Sequence, residues 1–319
     1  MRLRIPLLSD PMIVMLLVAT ALAVVFPATG QWQGIAQDVS SAAIFLLFLV
    51  NGMRIARGEI AQGLANWRFF LPLFLWVFGM MPLIGLGLSG LADTVLPPLV
   101  ALGFLYLGTL PSTVQSAASY TSLAGGNIAL SVVGAALLNI AGVFVTAPLF
   151  AAFAGSEAAD LGSDAIVRIG VMLVLPFAIG QAVQKGVRGW LNARKGAVAW
   201  LDRVVIGIAV YVAFSGAVEQ GLGTRFGLGE WSALVALVCL FLALASGGAW
   251  LVGILLRQER RDRIAFLFGG AQKSVAIGAP LAAILFPVEA AGFVIAPLLL
   301  YHLLQLVIAA PLARRLSQG

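Results

Sequence analysis

Apolar stretches of about 20 residues, the length an α-helix needs to cross the hydrocarbon core of a bilayer, follow one another along almost the whole chain. Read with that window they number ten, at approximately 11–27, 36–53, 67–90, 95–124, 127–153, 165–184, 198–218, 229–256, 264–286 and 290–312. Only helices and closed barrels satisfy their backbone inside lipid, and runs this long are helical. A chain that is 61% hydrophobic and 10% charged is an all-α polytopic membrane protein and not a soluble domain. Its net charge of +6 would point to nucleic acid in a soluble protein. Here the basic residues report topology, and no nucleic-acid partner is expected. Cys239, the single cysteine, excludes an intramolecular disulfide and a thiolate metal site.

Orientation follows from where those basic residues fall. With the N-terminus inside, Arg2, Arg4, Arg54, Arg57, Lys185, Arg260, Arg314 and most of the others lie in cytoplasmic segments, and only Arg168 and Arg225 lie on the opposite side. That asymmetry fits an even number of crossings with both termini cytoplasmic, in a bacterial-type inner membrane. The run from Met12 to Phe26 is read as the first crossing and not as a cleaved signal peptide. Trp32, Trp67, Trp190, Trp200 and Trp231 sit near predicted helix ends, as an interfacial aromatic belt requires.

Two of the runs are interrupted. In the ninth, Gly269-Gly270-Ala271-Gln272-Lys273-Ser274 sets an amide, an ammonium and a hydroxyl between apolar flanks. A bare ammonium at membrane depth costs roughly 3 to above 10 kcal/mol. Lys273 therefore marks a binding site, unless it snorkels to an interface or is a structural ion-pair partner. The glycine pair is where the helix is expected to unwind, and unwound backbone at that depth persists only where protein or a wet cavity surrounds it. In the fourth run Pro97, Pro98 and Pro111 break the pattern, and its second half is the most polar membrane segment in the chain. Proline removes a donor and clashes with the preceding turn, which predicts two half-helices meeting near Pro111.

The halves repeat. Leu137-Leu138-Asn139 followed by Val145-Thr146-Ala147-Pro148-Leu149 matches Leu300-Tyr301-His302 followed by Ile308-Ala309-Ala310-Pro311-Leu312 at one offset of 163 residues. Residues 1–158 and 159–319 then form two five-helix repeats of opposite orientation. This is the inverted-repeat plan of secondary transporters, whose site lies where two discontinuous helices meet.

At such a meeting point half-helix N-termini offer unpaired N–H groups and positive dipole ends, and C-termini offer carbonyls. One junction can hold an anion on one face and a cation on another. The candidate substrate- and ion-binding residues are Thr113, Gln115, Ser116 and Ser119 of the fourth crossing, Asn127 and Ser131 at the start of the fifth, and Gln272, Lys273 and Ser274. Hydroxyls in membrane helices also bond their own backbone and help packing, which leaves Gln272 and Lys273 as the stronger candidates. His302 and Asn139 occupy equivalent positions in the two repeats. A histidine there is either a proton relay or an interhelical hydrogen-bond partner. An ammonium shielded from water can also release and regain a proton, so Lys273 and His302 are both proton-coupling candidates. The chain has no HExxH, no Ser-His-Asp order and no Walker-type loop, so neither an enzyme nor a cofactor is expected.

The stretches Leu110-Pro111-Ser112-Thr113-Val114-Gln115-Ser116 and Thr121-Ser122-Leu123-Ala124-Gly125-Gly126-Asn127-Ile128-Ala129-Leu130-Ser131 resemble the fourth-helix signature of the bile acid:sodium symporter superfamily. Gly269 to Ser274 with Gly278 and Pro280 resembles its ninth-helix signature. The likeness is closest to the divergent SBF-like branch that also holds the seventh member of the human bile acid cotransporter family. It implies ten helices arranged as a panel (about 11–53 and 165–218) and a core (about 67–153 and 229–312) that move against each other, with broken helices 4 and 9 crossed in the core. In the sodium-coupled members a glutamate four residues before the ninth-helix glutamine helps bind both sodium ions. The resemblance sets Phe268 at that position, Lys273 where an asparagine usually follows the glutamine, Val77 for a third-helix glutamine, and Ala135 for a hydroxyl one turn after Ser131.

The expectation is a secondary transporter moving a small organic anion by alternating access, with Lys273 replacing a bound sodium ion or coupling to protons. The alternatives are a sodium-coupled organic anion symporter, in which main-chain carbonyls replace the missing ligands, and a membrane regulator of ion homeostasis.

Overall fold

The computed structural model describes residues 10–54, 65–155, 167–168, 170–221 and 226–318, and among these every regular element is helical. In order they are α1 (Pro11–Val25), α2 (Gln31–Arg54), α3 (Trp67–Ala92), α4 (Pro98–Thr109), α5 (Val114–Leu123), α6 (Ile128–Ala154), α7 (Gly170–Ala193), α8 (Lys195–Glu219), α9 (Leu228–Leu255), α10 (Arg260–Ala271), α11 (Val275–Leu285) and α12 (Val288–Ser317). Among the described residues eight spans are long and apolar enough to cross a membrane, counting α10 with α11 as Arg260–Leu285, and α4 with α5 form a ninth that is bent by 64°. The first expected crossing, α1, is apolar but only 15 residues long. Arg2, Arg4, Arg57 and Arg225, and the boundary between repeats at 158 and 159, lie outside the described residues.

The surface suits a bilayer. Trp32, Trp67, Trp190, Trp200 and Trp231 are all exposed, and Arg68, Arg194 and Arg203 stack on Trp67, Trp190 and Trp200. Such stacks hold a charge and a ring together where headgroups meet hydrocarbon.

The described helices fall into two compact units. One gathers α1, α2, α7 and α8 with Gly278–Ile295. Asp10 starts α1 by accepting the Met12 N–H at 2.8 Å, with Pro11 in the first turn where no donor is needed. Helices α2 and α7 meet main chain to main chain at Gly52 and Gly180, where any Cβ would strike Phe177 O or Leu49 O. Gln181 Nε2 donates to Gly52 O at 2.7 Å at the same place. Arg54 and Asp202 pair at 2.6 Å between α2 and α8.

The other unit gathers α3 to α6, α9, α10, the first turn of α11 and α12 from Ala296 onward. A π turn at Trp76–Met80 interrupts α3. Pro82 supplies no N–H to Phe78 O, and the ladder is bridged instead by Met81 N–H donating to Trp76 O. Helices α3 and α4 touch at Gly85 and Gly108, where a Cβ would lie 2.6 Å from Phe104 O and 2.7 Å from Met81 O respectively. Two half-helices are enclosed on all sides: every residue from Val100 to Thr109 in α4 and from Ile264 to Ala271 in α10 is buried. A helix apolar all round belongs inside other helices, and this burial carries both breaks into the interior of the unit.

Gly85→Val should lower the stability of the purified protein by about 1–3 kcal/mol through overpacking against α4. Gly87→Ala, two residues along α3 with nothing within 4 Å, should hold or slightly raise it. Thermal unfolding in detergent distinguishes the two.

Candidate functional site

Helix α4 ends because Leu110 precedes a proline and takes an extended conformation, with ψ 147°. Its N–H closes a last tight turn on Leu107 O at 3.4 Å. The chain runs on extended through Thr113, with φ −99° and ψ 134°, and restarts as α5. Thr146 Oγ1, on α6, donates to Thr109 O at 3.0 Å and satisfies one carbonyl of this end.

The second break does not lie where the glycines suggested. Gly269 and Gly270 stay helical, and the interruption is Gln272-Lys273-Ser274. The missing Cβ of Gly270 serves close packing instead, since one built there would lie 2.8 Å from the Trp76 ring. What stops α10 is a side chain from α12. Gln305 Oε1 accepts the Lys273 N–H at 2.8 Å, and Gln305 Nε2 donates to Lys273 O at 3.1 Å. Both main-chain groups that would continue the helix are thereby turned sideways. Tyr301 Oη donates to Ala271 O at 2.6 Å, and Ser274 N–H donates to Pro111 O at 3.0 Å, so the two breaks are bonded to each other.

Lys273 is 0% exposed, which rules out snorkelling. Its Nζ donates to Leu110 O at 2.7 Å and Gly108 O at 3.0 Å. Its partners are main-chain carbonyls at the C-terminal end of α4, where a helix dipole favours a cation, and not a carboxylate.

The other expected site residues divide. Ser116 Oγ donates to Gln272 Oε1 at 2.9 Å, which ties α5 to the second break. Ser131 Oγ accepts from buried Thr121 at 3.1 Å. Asn127 is spent on structure: it caps α6 by accepting the Leu130 N–H at 3.2 Å, its Nδ2 donates to Asp262 at 2.8 Å and its own N–H to Arg261 O at 2.9 Å. Thr113 is half-buried and makes no side-chain cap. Gln115 and Ser119 are exposed, with Ser122, at the i, i+4, i+7 spacing of one helix face. His302 Nδ1 faces Gln305 Nε2 at 2.8 Å. Asn139 is half-buried, and its Oδ1 has no partner. Gln305 and Tyr301 were not foreseen. The available signal was Gln305 itself, an amide one turn beyond His302 in an apolar helix.

The positions where the resemblance implies sodium ligands do not fit that ion. Val77 and Ala135 are 0% exposed and apolar, and Phe268 packs its ring on Tyr120 at 5.8 Å between centroids. The carbonyls best able to hold a cation already hold the Lys273 amine. Among the described residues no three His, Cys, Asp or Glu side chains cluster as a metal site.

The chain matches the SBF-like CPA transporter family over residues 10–318. It belongs to that family. The SBF-like chain is similar to PA2026 of Pseudomonas aeruginosa, with 35% identity over 98% of this chain and 94% of the relative. It is also similar to YfeH of Escherichia coli, which carries a symporter name, with 33% identity over 96% and 92%. Sodium/bile acid cotransporter 7 of Mus musculus is 24% identical over 86% and 82%. These matches make the chain a membrane transporter, and its family, YfeH and the Mus musculus relative carry transporter names, not enzyme names.

In this SBF-like transporter, Tyr301→Phe should cost about 1–2 kcal/mol by leaving Ala271 O without its buried donor. Thermal unfolding measures the loss, with Phe241, which meets the Tyr301 ring edge-on at 5.6 Å between centroids, still packed in the variant.

Proposed function

We propose that this SBF-like transporter is a secondary active carrier of a small organic anion that works by alternating access, with Lys273 in place of the coupling cation. The observation that carries the reading is the amine bonded to Leu110 O and Gly108 O. An ammonium brings one positive charge and three donors to a half-helix end that would otherwise recruit an ion. Being covalently held, it does not leave with the substrate, so uptake on this reading is independent of sodium.

The amine is spent on those carbonyls, so the charge of the substrate is met elsewhere. Thr113 makes no side-chain cap on α5, which leaves the first N–H groups of that half-helix for an anion. The exposed stripe of Gln115, Ser119 and Ser122 is poorly solvated by hydrocarbon and suits the wall of a wet path.

The 163-residue offset supports an inverted repeat. It carries α3, α4, α5 and α6 onto α9, α10, α11 and α12 with ends agreeing to within three residues. Lys273 to Leu110 and Ser274 to Pro111 are both bonds between residues 163 apart, as expected close to a two-fold axis. The membership of the two units supports a panel and a core, except that Gly278–Ile295, expected in the core, groups with the panel helices. The bacterial relatives and the charge asymmetry support an inner-membrane location with both termini in the cytoplasm. Lys273 and His302 remain the proton-coupling candidates.

A thermal-shift screen of small organic anions should find a stabilising ligand, and uptake of that ligand into proteoliposomes should be unchanged when sodium is replaced by N-methylglucamine. Lys273→Ala should become sodium-stabilised as its carbonyls are vacated. Strong sodium dependence in the wild type would favour the sodium-coupled symporter, and a protein that neither binds nor moves any anion would favour the regulator.

A further inference from the structure

Gln305 is held in one orientation by the main chain of Lys273. The N–H of Lys273 is always a donor and its carbonyl always an acceptor, so the amide oxygen must face the first at 2.8 Å and the amide nitrogen the second at 3.1 Å. The same nitrogen points at His302 Nδ1 at 2.8 Å. An NH2 group only donates, so Nδ1 accepts and the ring carries its single proton on Nε2. A second proton on the ring would sit on Nδ1, facing the amide hydrogens. Gln305 cannot turn its oxygen toward that proton without setting its NH2 against the Lys273 N–H and its oxygen against the Lys273 carbonyl. With the ring in this placement, doubly protonated His302 and an intact Gln305–Lys273 grip are therefore mutually exclusive.

We propose that His302 and Gln305 form a proton-operated latch on the crossing peptide: with His302 neutral the amide holds Lys273, and a proton arriving at Nδ1 releases it. The latch deepens the carrier reading by assigning the regulation of its site, and it rests on that reading only for its purpose. Lys273 is sealed at 0% exposure, whereas His302 keeps 7%, so the ring is the one of the two groups with any exposed surface. The titratable groups brought within about a turn of the ring are already engaged. Lys273 Nζ is on Leu110 O and Gly108 O, Tyr301 Oη on Ala271 O, and Tyr120 Oη donates to Leu306 O at 3.0 Å. The charges on α12 itself, Glu289, Arg314 and Arg315, lie roughly 18 Å or more along the helix axis. Release of the grip would free the Lys273 backbone to swing its amine off the α4 carbonyls.

His302 is the only histidine in the chain, so protein labelled with 15N-histidine and carried on a histidine-free tag reports this ring alone. At alkaline pH the spectrum should give the tautomer protonated at Nε2 with Nδ1 accepting. On acidification, addition of the Nδ1 proton should coincide with a drop of about tenfold in the hydrogen-exchange protection factor of the Lys273 amide, the effect of losing one ordinary hydrogen bond. The Ser274 amide, bonded to Pro111 O, serves as the internal reference. His302→Leu should keep the Lys273 amide protected across the range and abolish the step, and Gln305→Met should leave it unprotected at every pH. An Nδ1–H tautomer at alkaline pH, a ring that never takes its second proton, a titration with no change in protection, or a pH step retained in His302→Leu would each overturn the latch. If His302→Leu does not fold, the wild-type titration decides alone. An intact step in a protein that moves no anion would defeat the carrier reading and leave the latch standing, and sodium-independent uptake without the step would do the reverse.

Discussion

An amine laid against the carbonyl end of an enclosed half-helix is the interaction on which the core unit depends. Helix α4 is buried from Val100 to Thr109, so no water reaches the carbonyls its break leaves behind. Thr146 satisfies one, and the Lys273 amine takes those of Gly108 and Leu110. Bonds of this charged kind are worth more than neutral ones, about 1.5–3 kcal/mol each, and the alternative is orphaned backbone in a dry interior. The neighbouring features follow from it. Gly85 and Gly108 bring α3 hard against the end that must be presented. Gln305 and Tyr301 hold the opposing strand of chain at the height from which the lysine stem reaches across.

How much of this could be read from residues depends on whether the cause was local. The Pro111 break is a local effect of proline on its own turn, and it stands where the sequence puts it. Lys273 was equally conspicuous as one ammonium among apolar residues, and its burial removes the snorkelling reading. The Gly269-Gly270 pair misled because glycine permits two opposite things, unwinding and close approach, and only the position of Trp76 decides between them. The true stop comes from Gln305, more than thirty residues away in the chain, and no window of sequence around the break contains it. Asn127 looked like a ligand because its side chain is polar, yet capping uses the same atoms. Gln115 and Ser119 read from sequence as polar members of one segment, and only the helix shows that they share an exposed face with Ser122.

The resemblance to sodium-coupled carriers gains a physical explanation from charge counting. In that pattern one carboxylate and two sodium ions leave a net charge of plus one at the crossing. Here Phe268 contributes nothing and Lys273 contributes plus one. On the proposed reading the electrostatic demand of the half-helix ends is met in both cases, by mobile ions in one and by a tethered group in the other. The absence of the carboxylate and the presence of the amine would then be two parts of one change, and either alone would leave the junction unbalanced. A single reverse substitution at Lys273 should for that reason fall short of restoring a complete ion site.

The pairing of Lys273 with Leu110 across a separation of 163 residues also bears on how such a chain could arise. If each half had once been a separate subunit in an antiparallel dimer, the residue at this spot would have met its own copy. An ammonium would then have faced a second ammonium in a dry interior. On the inverted-repeat reading the lysine is easier to bury opposite leucine than opposite its own copy, an asymmetry that two fused halves can acquire and two identical subunits cannot. On that reading the amine marks where the two halves cease to match, and single-repeat ancestors would be expected to carry an uncharged residue in its place.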